Sequence, residues 1–107
     1  MIFDARERRL VVSDRDGGKV HSVSLPDGRR KTLTEGAGYV TALASAEEGI
    51  YFGSEGRLFL LRRQANSGRA NAERIESVRH KIISGLVVDS SGYLWIADAK
   101  SHLIQGL

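Results

Sequence analysis

Three carboxylates are the residues whose type and spacing could do chemistry. Asp14 and Asp16 alternate in "SDRDGG", and Asp98 closes the run "LWIAD". Alternating carboxylates can present several oxygens to a hard cation such as calcium. The remaining acidic ligands of a calcium loop are missing at the required spacing. The competing reading of "SDRDGG" is a solvated turn between two strands, with Gly17 or Gly18 at positive φ. Asp14, Asp16 and Asp98 therefore stand as weak metal candidates, and no cofactor is expected.

The other reactive residue types are scattered. His21, His80 and His102 show neither HExxH nor any other paired spacing. The serines form no Gly-x-Ser-x-Gly elbow. "DGGKV" sets a lysine after two glycines but lacks the strand–loop–helix context of a phosphate cradle. The chain has no cysteine, which excludes a disulfide framework, a thiolate zinc site and a cysteine nucleophile. No catalytic residue is assigned, and the balance leans away from an enzyme.

The elements that must position these residues are short and numerous. The 107 residues suffice for one domain, and 41% are hydrophobic. Twelve glycines against one proline suit a chain with many tight turns. No apolar run is long enough to span a membrane as a helix, and "MIFDARERRL" has no apolar segment of the signal-peptide kind. That favours a cytoplasmic location. The net charge is +3. Basic groups occur at Arg8–Arg9, Arg29–Lys31 and Arg62–Arg63, with Arg69, Arg74 and Arg79 beyond. Nucleic-acid binding would need them gathered on one surface; the reading preferred is a solvated surface.

Three segments repeat. Ile2–Leu25, Ala42–Leu61 and Gly85–Leu107 each hold an apolar run, a polar turn, a second apolar run, a small or acidic stop and a third run. Val11, Tyr51 and Trp95 align, as do Asp14, Ser54 and Asp98, at spacings of 40 and 44 residues. That period belongs to four-stranded propeller blades. "RLVV", "GIYF" and "YLWI" are β-branched and aromatic, and "RDGG", "EEG" and "DSSG" are turn clusters. "RLFLLRR" reads as a strand covered on both faces, and "KVHSVSL" puts Val20, Val23 and Leu25 near one face.

The expected class is all-β, with eleven strands in three antiparallel blades spanning about 1–38, 39–80 and 81–107. These strands are Ile2–Asp4, Leu10–Ser13, Lys19–Leu25 and Arg30–Thr34; Val40–Ser45, Ile50–Gly53, Arg57–Arg62 and Arg74–Val78; Ser84–Val88, Leu94–Ala97 and His102–Gln105. The third blade lacks its fourth strand. Residues 62–80 are charged and alanine-containing; an insertion loop followed by a strand at Glu73–Val78 is preferred to a short helix carrying Ala70, Glu73, Ile75 and Val78. Tyr51, Phe52, Phe59 and Trp95 are expected in the core.

The third segment resembles the NHL repeat, through Gly85, Asp89, Gly92, Leu94, Trp95, Ala97, Asp98, His102, Ile104 and Gln105. "RLVVSDRDGGKVHSVSLPDGRRKTL" is similar to the YWTD repeat, although Val11 and Val12 replace its Tyr-Trp signature. The second segment resembles the short repeats of bacterial sensor propellers. The resemblance implies a β-propeller and little about its ligand. In this blade design the aspartate at Asp14 and Asp98 accepts hydrogen bonds from turn amides, and His102 is structural. The alternative is a ring of carboxylates around a divalent metal in a central channel, as in propeller lactonases. The only asparagines, Asn66 and Asn71, fall in the insertion, which weakens that reading.

Three blades are fewer than the four to eight of a closed propeller. The expectation is either self-association through unpaired blade edges, with two copies completing a six-bladed ring, or a piece of a longer propeller. The function expected is a non-catalytic module that binds a protein or peptide through loops. The alternatives are a metal-dependent propeller hydrolase or lyase and, third, an RNA binder.

Overall fold

A computed structural model describes residues 1–14, 17–63 and 72–107. Every regular element in them is a strand. In chain order they are β1 (Ile2–Asp4), β2 (Arg9–Asp14), β3 (Lys19–Ser24), β4 (Arg30–Thr34), β5 (Val40–Ser45), β6 (Gly49–Ser54), β7 (Arg57–Arg62), β8 (Glu73–Arg79), β9 (Gly85–Val88), β10 (Leu94–Asp98) and β11 (Leu103–Gly106). They form three antiparallel meanders: sheet 1 (β1-β2-β3-β4), sheet 2 (β5-β6-β7-β8) and sheet 3 (β9-β10-β11). Adjacent strands pair in sequence because glycine and polar clusters reverse the chain between apolar runs. In the β2–β3 turn, Gly18 takes the positive φ that its turn requires, at 62°.

The middle sheet is covered on both faces. One apolar cluster joins Val11 and Val20 of sheet 1 to Leu43, Ile50, Phe52 and Leu61 of sheet 2. A second joins Ala44, Leu58 and Val78 of sheet 2 to Leu94 and Ile96 of sheet 3, with Ile83 between them. Period-2 alternation explains this division, since neighbouring residues of one strand face opposite sheets. The first strands of the three sheets, β1, β5 and β9, lie side by side. Gly53 lies against Ile83 of the link between sheets 2 and 3: a Cβ there would fall 2.7 Å from it.

Strand order and most boundaries agree with the sequence reading, within a residue or two. Residues 62–80 contain a strand at Glu73–Arg79, paired with β7, in place of the helical alternative. Ala70, Asn66 and Asn71 lie outside the described residues. Three expectations are corrected. Trp95 is 42% exposed, because no sheet packs on its side of sheet 3 among the described residues. Val23 and Leu25 do not share the buried side of Val20; Val20 and Ser22 do, and Leu25 lies past the end of β3 and is exposed. His102 precedes β11 at φ 57°, a left-handed turn position instead of a strand position.

Candidate functional site

Of the three candidate metal ligands, Asp98 is buried and already occupied. It ends β10, and the turn beyond folds back over it. Its Oδ1 accepts from the amides of Lys100 (3.1 Å) and Ser101 (3.0 Å). Its Oδ2 accepts from the Lys81 amide (2.9 Å) and faces His80 Nδ1 at 3.2 Å. Burial pushes this carboxyl up, but the amides of Ser101 and Lys81, with the Ser101 and His80 side chains, outweigh it and bring it down to about 2. His80 Nε2 lies 2.8 Å from Gln105 Oε1. An ionised Asp98 can only accept, so in this contact His80 Nδ1–H donates to it. The Asp98–His80–Gln105 row thus ties the link between sheets 2 and 3 to the central strand β10 and the outer strand β11 of sheet 3. Sequence reading gave Asp98 its turn-amide role; His80 and Gln105 were out of reach because 18 and 25 residues separate the partners.

Asp14 is exposed at the end of β2, where its Oδ1 accepts from the Gly17 amide at 3.2 Å. Asp16 lies outside the described residues. Among the described residues no three His, Cys, Asp or Glu side chains converge as a metal site would require.

Among the described residues the densest charged cluster centres on Asp4, which sequence reading passed over. Asp4 is fully buried at the end of β1. Arg63 reaches it from the end of β7 with Nη1 at 2.6 Å and Nη2 at 2.9 Å, a bidentate pair. Arg9 Nε donates at 2.9 Å, and Ser45 Oγ donates at 2.9 Å. Arg63 also donates to Glu7 and to the Ala46 and Glu47 carbonyls. Burial raises the Asp4 carboxyl, yet hydrogen bonds from Arg63, Arg9 and Ser45 dominate and hold it at about 2. Each oxygen of Asp4 takes two of these bonds, so the cluster fastens sheet 1 to sheet 2.

The basic groups of the sequence divide in the same way. Arg9 and Arg63 are spent on Asp4, Arg62 on Glu73 and Arg74 on Glu76. The concavity beside Arg62 and Arg63 is walled by these paired charges.

A different cleft, of about 680 Å³, opens between sheets 1 and 2. Its floor holds Phe52 and Phe59, direct cross-strand partners whose rings stack at 5.0 Å and 14°. Glu35, Glu55, Arg57 and Arg74 line its walls. Its rim is the β4–β5 connection, held from both sides: the Ala37 amide donates to the Gly18 carbonyl (2.8 Å), and Ser54 Oγ donates to the Ala37 carbonyl. Ser54 is the residue aligned with Asp14 and Asp98, and like Asp98 it bonds the connection preceding its sheet. Gly38, at φ 70°, lets that rim lie against Ser54; a Cβ there would come 3.2 Å from Ser54 Oγ. The cleft joins an aromatic floor to charges of both signs on a fixed frame.

In comparisons with known proteins, no family model matches the chain and no curated protein matches it.

Proposed function

We propose that the three sheets are blades of a β-propeller with the NHL-like and YWTD-like repeats described above, and that the protein is a non-catalytic module binding a protein or peptide. The observation that carries this reading is the cleft between sheets 1 and 2, with its stacked Phe52–Phe59 floor and its Glu35, Glu55, Arg57 and Arg74 walls. The side-by-side placing of β1, β5 and β9 supports the blade arrangement. Rigid sheets holding a connecting loop at a groove are the usual frame for recognition. An extended peptide would lay an apolar side chain on Phe59 and set charged neighbours against the arginines and glutamates.

A random peptide array probed with the purified protein tests this, followed by calorimetry on the best binder. Phe59→Ala and Arg57→Glu should each weaken binding about tenfold or more, equivalent to about 1.4 kcal/mol. An array with no specific binder, or a binder indifferent to both substitutions, would refute the assignment. The metal-dependent hydrolase or lyase and the RNA binder remain the competing readings. Dialysis followed by metal analysis, and binding of single-stranded RNA at low ionic strength, would detect them.

A further inference from the structure

One relation stacks all three sheets, and among the described residues it leaves two faces uncovered. The strand registers set the equivalence: Ile2↔Val11, Ala44↔Tyr51 and Val87↔Trp95 occupy the same place in the first two strands of each sheet. Each pair points at the sheet that follows. Ile2 and Val11 pack with Ile50 and Phe52 of sheet 2. Ala44 and Tyr51 pack with Leu94 and Ile96 of sheet 3. Val87 and Trp95 point from the far side of sheet 3 and are 58% and 42% exposed. The backward faces repeat the rule. Ile50 and Phe52 meet sheet 1, and Leu94 and Ile96 meet sheet 2. Their equivalents in sheet 1, Leu10 and Val12, alternate with inward Val11 and so face away from sheet 2, beside Phe3, which is 54% exposed.

Trp95 is held as an anchor. Its Nε1 donates to Asp89 Oδ2 at 2.9 Å, and its ring lies across Gly106, where a Cβ would come 2.9 Å from Cζ3. With Val87, Ala97 and Ile104 it lines an apolar groove of about 280 Å³. A fixed, exposed indole in an apolar groove is what a contact hot spot requires.

We propose that a second copy of this chain seats the backward face of its sheet 1 (Phe3, Leu10, Val12) on the forward face of sheet 3 (Val87, Trp95, Ile104), continuing the internal stack. A second copy is the occupant because it carries the face that this relation already uses twice within the chain. The charges agree. Asp89 holds the place on sheet 3 that Asp4 holds on sheet 1, where Asp4 takes an arginine from the next sheet. The matching corner of sheet 1, at the end of β3, carries Arg8 and Arg29, whose carbonyls accept from the Leu25 and Ser24 amides. The contact is heterologous, so copies close a ring or extend as a filament. It lies apart from the peptide cleft and stands or falls independently of it.

Light scattering with size exclusion tests this on the wild type, Trp95→Glu, Phe3→Glu and a 1:1 mixture of the two variants. The wild type should run as a multiple of 11.7 kDa. Each variant alone should fall to the single-chain mass. The mixture should recover a two-chain species, because each variant keeps one intact face. A wild type still monomeric at about 1 mM would overturn the proposal. So would a Phe3→Glu variant that associates like the wild type, since the contact would then join two copies of sheet 3. A mixture that stays monomeric would do the same. Far-UV circular dichroism checks folding, and Ile104→Glu or Leu10→Glu replaces any variant that fails it.

Discussion

Substituting Asp4 by asparagine removes the charge at the junction of sheets 1 and 2 while keeping its shape. The carboxyl moves from an ordinary 3.8 to about 2 in the folded protein, chiefly through Arg63, Arg9 and Ser45 acting against burial. At about 1.4 kcal/mol per pH unit, that difference corresponds to about 2 kcal/mol of stability. Breaking a buried ion pair costs about 3–5 kcal/mol when it strands the partner. Arg63 keeps Glu7 and two carbonyls, so Asp4→Asn should lose about 2–3 kcal/mol, equivalent to about 10 °C in midpoint temperature. The pH dependence follows from the direction of the shift. A depressed folded pKa gives stability that is present above the unfolded value of 3.8 and is lost as pH falls through about 2. The gap between wild type and variant should therefore be full at pH 7, narrow below about pH 4 and approach its packing residue near pH 2. Urea denaturation at pH 7, 4 and 2.5 measures it. A gap below about 0.5 kcal/mol at pH 7, or one that does not change with pH, would refute the reasoning.

Other outcomes follow from the same geometry. Glu73→Gln breaks the exposed Arg62–Glu73 pair and should change stability by less than about 1 kcal/mol, in contrast to Asp4→Asn; chemical denaturation compares them. Phe52→Ala empties a fully buried site in the middle sheet and should cost about 3–5 kcal/mol by the same assay. Gly53→Ala forces a Cβ against Ile83 and should cost about 1–3 kcal/mol, read as a lower thermal midpoint. Asp98→Asn should remove part of the acid dependence that the wild type retains, because the Asp98 carboxyl is held at about 2 and its contribution is likewise lost as pH falls through that value; a pH series of denaturation midpoints shows it.

The strands were legible because their signals are local. Alternating or continuous apolar runs between glycine and polar clusters gave eleven strands in the observed order, and the recurrence of Val11, Tyr51 and Trp95 gave the division into three sheets. The alignment of Asp14, Ser54 and Asp98 likewise marked positions that bond to turns or connections. What the sequence could not show depends on which sheet packs against which. Asp4 looked like an ordinary end-of-strand acid, and Arg63 like part of a surface cluster, until folding brought together residues 59 apart. Trp95 looked like core because its type and alternation match Tyr51; only the stack decides that sheet 3 covers Tyr51 while nothing described covers Trp95. Phe52 and Phe59 were legible as buried strand residues, but their cleft exists only where the β4–β5 connection of one sheet meets the β6–β7 turn of the next. Periodicity along a chain fixes which side chains share a face; what that face meets is settled by tertiary packing, through contacts whose partners have no fixed separation in sequence.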